Sequence, residues 1–467
     1  MLFSSIPFLY YFLPIVLVLY FLVPFRFKNI VLLIASLFFY FYGEPVYVLL
    51  MLFSCLSSYI HGILIDKYRG RKASKGWLIS SIATSMLLLG FFKYADFFVS
   101  NVNTIFRADI PLLRIALPIG ISFFTFQTLS YTIDVYRGDA KVQKSFVRLA
   151  TYVALFPQLI AGPIVRYTTV EEDLTMRTHS VNKFGEGVTR FTLGLAKKVL
   201  IANVLYEFCE TFRASDEKSV VFYWLYAIAF SLHIYFDFSG YSDMAIGLGK
   251  IFGFRFLENF DYPYISRSIS EFWRRWHMSL GTWFRDYVYI PLGGNRVSKW
   301  RWVFNTLVVW MFTGFWHGAA WTFIVWGLYF AAFLMLEKFF LKKVLEKLPR
   351  FISHIYVLLA VMISFVIFNA VDFTEAFSDI RGMFGALDVP FWTKETAYYL
   401  SSYALLFIAA IFGATPCLKK VVLKLKETKG VSTAVDVLEP VVVVLLLVVI
   451  TACLVNGSFN PFLYFRF

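Results

Sequence analysis

The sequence predicts an all-α, polytopic integral membrane protein, on three observations. Uncharged apolar runs recur from one end to the other, 59% of residues are hydrophobic with aromatics at 20%, and Lys and Arg gather in short loops between the runs. A soluble chain of 467 residues would hold about three domains by length, and this composition does not allow them. The net charge of +14 does not indicate nucleic acid, because its cations sit in short loops, as expected where loops face the cytoplasm and anionic lipid. Cys55, Cys209, Cys417 and Cys453 form no C-x-x-C pair, so neither a disulfide framework nor a metal site is expected. No repeat or linker interrupts the chain, which reads as a single domain over 1–467.

Residues 6–25 form the first span, read as retained because no basic segment precedes it and no small-residue cleavage site follows. Arg26 and Lys28 place the following loop in the cytoplasm and the N-terminus outside. Residues 29–60 lie between that loop and the basic segment Lys67, Arg69, Arg71, Lys72 and Lys75. Two cytoplasmic flanks require a hairpin, turning at Gly43-Glu44-Pro45, with arms of about 15 residues. Residues 77–99 make a further span carrying Lys93 and Asp96. The segments 116–136 and 149–165 carry Pro118, Gly120, Pro157, Gly162 and Pro163 and are expected to be broken or re-entrant. Residues 184–210, 220–236 and 240–256 read as helices. Near the C-terminus, spans 353–370 and 397–416 flank an acidic loop (371–397), bracketed by Lys342, Lys343, Lys347 and Arg350 before and Lys419, Lys420, Lys424, Lys426 and Lys429 after. The acidic loop is therefore placed outside, and a last span at 437–455 returns the C-terminus to the outer face.

Two histidines carry the chemical signal. His317 is the only side chain that ionises near neutral pH in the 35-residue run from Trp302 to Leu336. One helix of that length would reach ~50 Å, beyond a ~30 Å hydrocarbon core, so the run must turn, and Gly314, Gly318, Ala319 and Ala320 mark the place. An isolated imidazole at such a break is a functional candidate able to move protons near neutral pH. His277 follows a capping-box pair, Ser268 and Glu271, on an expected amphipathic helix whose apolar face is Phe272, Trp276, Leu280, Trp283 and Tyr287. The charges Glu271, Arg274, Arg275, Arg285 and Asp286 place that helix at the interface or inside the protein. Of the remaining histidines, His61 and His179 fall in polar loops and are expected to be solvated, His354 is interfacial, and His233 is intramembrane, where packing is the commoner role. Asp237 and Asp243 flank a span boundary. Neither Gly240-Tyr241-Ser242-Asp243 nor Gly247-Leu248-Gly249-Lys250 has the spacing of a nucleophile elbow or a phosphate loop. No carboxylate and histidine cluster has metal-ligand spacing.

At these residues the chain resembles the membrane-bound O-acyltransferase (MBOAT) family, nearest to the alginate O-acetyltransferase type that acetylates exported polysaccharides. The resemblance rests on Met1-Leu2-Phe3-Ser4-Ser5, on Pro157 to Ile164, on Phe236-Asp237-Phe238-Ser239-Gly240-Tyr241-Ser242-Asp243-Met244-Ala245, on Phe272 to His277 running on to Trp283-Phe284-Arg285-Asp286-Tyr287, and on Phe315-Trp316-His317-Gly318. It extends from the N-terminus to roughly residue 340. It implies a bundle of about eleven or more helices with re-entrant segments around a central tunnel, in a bacterial cell membrane. It also implies His317 as the catalytic histidine and His277 as the second motif histidine, with Trp276, Arg285, Asp286, Trp316, Trp321, His233, Asp237 and Tyr241 as candidate substrate or tunnel residues. No bound cofactor is implied. Acetyl-CoA is the donor substrate from the cytoplasm, and the acceptor is an exported polysaccharide or a partner of the SGNH-hydrolase type. Indole N–H groups of Trp316 and Trp321, or backbone N–H groups at the glycine break, are candidate donors to a developing oxyanion. Two other readings stay open: D-alanyl transfer to teichoic acid, whose subgroup shares the His277 and His317 motifs, and a polysaccharide or lipid transporter in which His317 lines a path.

Overall fold

The computed structural model describes residues 1–160, 162–428 and 430–457. Ala161 of the Pro157–Ile164 motif and Lys429 of the last basic stretch lie outside the described residues. Among the described residues the chain is helical without a strand, and eight helices are long and apolar enough to cross a membrane. The described chain divides into two compact units, Met1–Phe191 with Tyr241–Leu257, and Thr192–Gly240 with Glu258–Phe467.

The first unit is built around the helix Ile121–Arg137, of whose 17 residues 14 are buried. It carries Ser122, Thr125, Gln127, Thr128, Ser130 and Thr132 inside, several of them hydrogen-bonded to backbone carbonyls one turn back. The expected break in this segment lies before the helix, at Pro118 and Gly120. Gly120 has φ +75°, and a Cβ there would meet the Leu159 carbonyl oxygen at 2.8 Å. The second expected break is found as two short helices, Phe146–Ala154 and Phe156–Leu159. The hairpin at Gly43–Pro45 is present, but its arms Phe25–Gly43 and Tyr47–Lys67 have 19 and 21 residues, longer than the apolar runs alone. They extend through Arg26 and Lys28 at one end and His61, Asp66 and Lys67 at the other, because helical hydrogen bonding does not stop where hydrophobicity does. His61 is consequently not solvated: it is buried in the second arm, its Nδ1 2.7 Å from the Ser57 carbonyl and its Nε2 3.1 Å from Ser80 Oγ. His179 is half-buried, its Nε2 2.9 Å from the Tyr20 hydroxyl.

In the second unit, the expected division of 220–256 into two helices is overturned. Val220–Phe252 is one helix of 33 residues, whose residues after Gly240 belong to the first unit. Gly240 does not end a helix; a Cβ there would meet the Gly194 carbonyl oxygen at 2.8 Å, so its missing side chain serves helix contact. The spans Arg350–Asn369, Lys394–Gly413 and Ser432–Asn456 stand where the apolar runs place them. The acidic segment is not all loop: Phe373–Met383 is helical, with Asp372 accepting from the Glu375 N–H at its start. The long uncharged run turns as expected, into Lys299–His317 and Trp321–Leu336.

Those two helices meet through glycine. A Cβ on Gly314 would lie 2.1 Å from the Phe323 carbonyl oxygen, and one on Gly327 2.1 Å from that of Trp310. Both obstacles are backbone, so neither can rotate aside. Gly327→Ala and Gly314→Ala are each expected to cost about 1–3 kcal/mol through overpacking, read as a lowered melting temperature of detergent-purified protein. Gly76→Ala, where nothing lies within 4 Å of a new Cβ, should leave that temperature unchanged.

Candidate active site

The site lies in the second unit, where the hairpin of Lys299–His317 and Trp321–Leu336 meets the short helices Ile269–Arg275 and Met278–Phe284. His317 is the last residue of its helix, followed by extended Gly318. Gly318 is needed here: a Cβ would fall 2.2 Å from the Phe323 ring. The His317 imidazole is buried and stands edge-on to Trp326 and Phe368, with ring centroids 5.1 and 5.4 Å away. Trp316 touches both histidines, 5.1 Å from His317 and 6.0 Å from His277.

His277 is not on a continuous amphipathic helix. The capping box is present, with Ser268 Oγ accepting from the Glu271 N–H at 3.0 Å, but the helix ends at Arg275. His277 adopts φ 44°, ψ 52° and a second helix starts at Met278. The break has a tertiary cause. Asn259 Oδ1 accepts from the Ser279 N–H at 3.1 Å and from Ser279 Oγ at 2.8 Å, and lies 3.3 Å from His277 Nδ1. The Asn259 carbonyl accepts from the Met278 N–H, and the Asp261 N–H donates to the Arg275 carbonyl. The segment Asn259–Asp261 thus satisfies backbone groups that an unbroken helix would have paired internally. His277 is almost fully buried, 4.5 Å from the Phe238 ring. Burial, reinforced by His317, holds its imidazole well below the ordinary histidine value, so it is a neutral group.

His277, Trp273, Trp310 and Thr313 also line a cavity of about 1220 Å³. Its wall carries Arg267, Arg274, Arg285, Lys338 and Lys342 against the carboxylates Glu337 and Glu346. Glu337 is engaged, accepting from the backbone N–H groups of Ile269 and Ser270 and from Ser270 Oγ. Arg285 pairs with Asp286 through two hydrogen bonds of 2.6 and 3.1 Å. The remaining cations make the cavity a basic funnel with an aromatic side.

The other candidates divide. Trp276 is a core residue, stacked on Phe272 and packed on Phe365. Trp321 is 53% exposed at the start of its helix, and Trp326, one turn on, is the tryptophan that faces His317. His233 is buried with Nδ1 2.9 Å from the Ala202 carbonyl and its ring on Tyr206. Asp237 forms a fully buried ion pair with Lys198 at 2.6 Å. Tyr241 belongs to the first unit, stacked on Phe3 at 5.6 Å. Sequence reasoning passed over Asn259, Ser279, Trp326, Phe368 and Lys198. Only Lys198 left a signal, as a charge inside an apolar helical segment. Among the described residues no cluster suits a metal ion.

A sequence profile of the MBOAT, membrane-bound O-acyltransferase family, matches residues 34–378, a stretch containing both histidines. The chain belongs to this family. Similar proteins include a probable alginate O-acetylase of Azotobacter vinelandii, 39% identical with all of both chains covered, and one of Pseudomonas aeruginosa, 43% identical over 82% of this chain and 75% of the relative. A peptidoglycan O-acetyltransferase of Helicobacter pylori is 32% identical over all of this chain and 98% of its own. Within the MBOAT family the chain is therefore of the alginate O-acetyltransferase type, in agreement with the motif resemblance.

The Asn259 contacts generate a prediction. Asn259→Ala leaves the buried Ser279 N–H and hydroxyl without their acceptor, at a cost of about 1–3 kcal/mol. It also frees His277 to shift, and a misplacement near 1 Å typically costs up to about a hundredfold in rate. Purified Asn259→Ala should melt lower and turn over at least about tenfold more slowly than wild type.

Proposed function

We propose that this MBOAT protein moves an acetyl group from acetyl-CoA to a hydroxyl of an exported polysaccharide, directly or through a partner acetyltransferase. The observation that carries the reading is the pair of buried histidines touching one tryptophan, His277 standing in the wall of a basic cavity, in a chain of this family. The relatives' names share O-acetylation of a glycan polymer.

In this reading the acceptor oxygen attacks the thioester carbonyl carbon while His317 takes the hydroxyl proton. The carbonyl oxygen becomes an oxyanion, the C–S bond breaks as the carbonyl re-forms, and the proton passes to the leaving thiolate. Neutral imidazole is the form that can accept a proton. Backbone N–H groups at the start of Trp321–Leu336, where no side chain caps the helix, are candidate donors to the oxyanion. The cations Arg267, Arg274, Lys338 and Lys342 would hold the phosphate-bearing end of acetyl-CoA, entering from the cytoplasm. His277 positions the acyl end, and the acceptor arrives from the opposite face through a tunnel. Both termini and the acidic segment 371–397 then lie outside, in the cell membrane of a bacterium.

His317→Ala should abolish acetyl transfer while the protein still inserts and purifies, since positioned base catalysis typically contributes ~10²–10⁴-fold. His277→Ala should be severely impaired, and Arg274→Glu should raise KM for acetyl-CoA more than it lowers kcat. Turnover by His317→Ala above about a tenth of wild type would exclude a general-base role of that size.

The outer segment exposes Phe377, Phe384, Phe391 and Trp392 beside its acidic residues, and it is too short for a sugar-binding domain. Such an aromatic patch suits docking of a separate SGNH-type protein that receives the acetyl group. Purified protein reconstituted with acetyl-CoA and polysaccharide alone should therefore acetylate the polymer poorly. Efficient, position-selective acetylation without a second protein would make this chain a complete polysaccharide acetyltransferase.

A further inference from the structure

We infer that Trp326 is a catalytic residue, its indole N–H donating to the acyl carbonyl oxygen as that oxygen becomes an oxyanion beside His317. The inference rests on the acetyl-transfer reading above and goes beyond it by assigning a donor.

Four observations converge on this side chain. Trp326 is 1% exposed, and its Nε1 has no hydrogen-bond acceptor among the described residues. A buried donor without an acceptor is a standing cost to a fold, and such groups in native proteins call for an explanation. Two indoles of the same unit do find acceptors: Trp224 donates to the Met383 carbonyl at 2.7 Å and Trp302 to the Tyr289 hydroxyl at 2.8 Å. Trp273 Nε1 is, like that of Trp326, without an acceptor, and Trp326 stands edge-on to the His317 ring at 5.1 Å.

Its placement is also rigid. Trp326 precedes Gly327, the residue whose missing Cβ lets the Trp310 carbonyl press against the helix. Its ring is held by Trp273 at 5.8 Å, Phe330 at 5.3 Å and Phe368 at 5.1 Å. A donor fixed before the reaction, among buried rings, does not have to reorganise when charge develops on the carbonyl oxygen. Phenylalanine would fill most of this volume without burying an unpaired N–H, so packing alone does not ask for tryptophan.

The step balances without another reactant. The acceptor oxygen forms its bond to the carbonyl carbon, the π pair moves onto the carbonyl oxygen, and the Trp326 N–H holds that oxyanion by a hydrogen bond, keeping its own proton. When the C–S bond breaks the pair returns to the carbonyl, and the proton taken by His317 goes to the thiolate.

The test replaces Trp326 with β-(benzothiophen-3-yl)alanine, which keeps the bicyclic ring and exchanges N–H for sulfur, and separately with phenylalanine. Both are assayed in nanodiscs for acetyl transfer from acetyl-CoA beside wild type and His317→Ala. Removing one oxyanion donor typically lowers kcat by about 10²–10³-fold. We expect a loss of at least tenfold in both variants, KM for acetyl-CoA within about threefold and, in the benzothienyl variant, a melting temperature no lower than wild type. Turnover of the benzothienyl variant within threefold of wild type, with His317→Ala inactive, overturns this assignment and leaves the acetyl-transfer reading standing. Turnover lost together with a lowered melting temperature in both variants assigns Trp326 to packing and likewise overturns it. An active His317→Ala overturns the underlying reading and this inference with it.

Discussion

The close approach of two helix backbones at Gly314 and Gly327 is the constraint on which the site depends. Lipid tails are as apolar as leucine, so helices in a bilayer gain little from hydrophobic burial against each other and associate through close packing instead. Here each glycine faces a carbonyl oxygen of the opposite helix, Phe323 for Gly314 and Trp310 for Gly327. With both contacts made, the hairpin cannot slide or rotate without a backbone collision. His317, three residues beyond Gly314, and Trp326, one before Gly327, inherit that fixed geometry. Gly318 extends it by letting the Phe323 ring lie against the turn, and Phe323 packs in turn on Phe368, which touches His317.

In the second unit cations line the cavity while the buried carboxylates Glu337 and Asp237 are taken up by fixed partners. His277 is buried against rings, an environment that disfavours imidazolium. Where carboxylates are buried they are committed: Glu337 to the start of the helix Ile269–Arg275, and Asp237 to Lys198. A buried pair of this kind is weak evidence for stability, but it keeps a full charge from perturbing its neighbours. The cavity wall around Trp273 and Trp310 carries Arg267, Arg274, Lys338 and Lys342, a positive lining.

Much of this was legible in sequence wherever one local rule set the outcome. An uncharged run too long for the bilayer had to turn, and it turns at Gly318–Ala320; Gly43–Pro45 is the hairpin that charge bias demanded; Ser268 and Glu271 form their capping bond. The errors fall where a distant segment decides. Residues 220–236 and 240–256 read as two helices but form one, in which Gly240 serves contact with Gly194. His61 reads as a loop residue because charges follow it, yet Ser57 and Ser80 hold it inside a span. Two site histidines could be found because ionisable groups stand out in apolar surroundings. Their supports could not, since Asn259, Trp326 and Phe368 resemble any other polar loop or aromatic span residue until the fold brings them together.

His277 shows why the regular reading of its segment fails for a physical reason. Of the apolar stripe, Phe272, Trp276, Leu280 and Trp283 are buried as helical spacing requires, and Tyr287 at its end is half-buried. An unbroken helix would carry that stripe on one face with His277 beside it. The structure instead spends a left-handed residue there, a conformation that costs a non-glycine side chain on the order of 1–3 kcal/mol and persists only when its surroundings over-determine it. Asn259 supplies that over-determination through Ser279, Met278 and the imidazole itself. The break sets the imidazole into the cavity wall and against Trp316 while the stripe remains buried on both sides. Strain of this kind, held by a side chain eighteen residues away, marks a position shaped for its imidazole more than for the continuity of its helix.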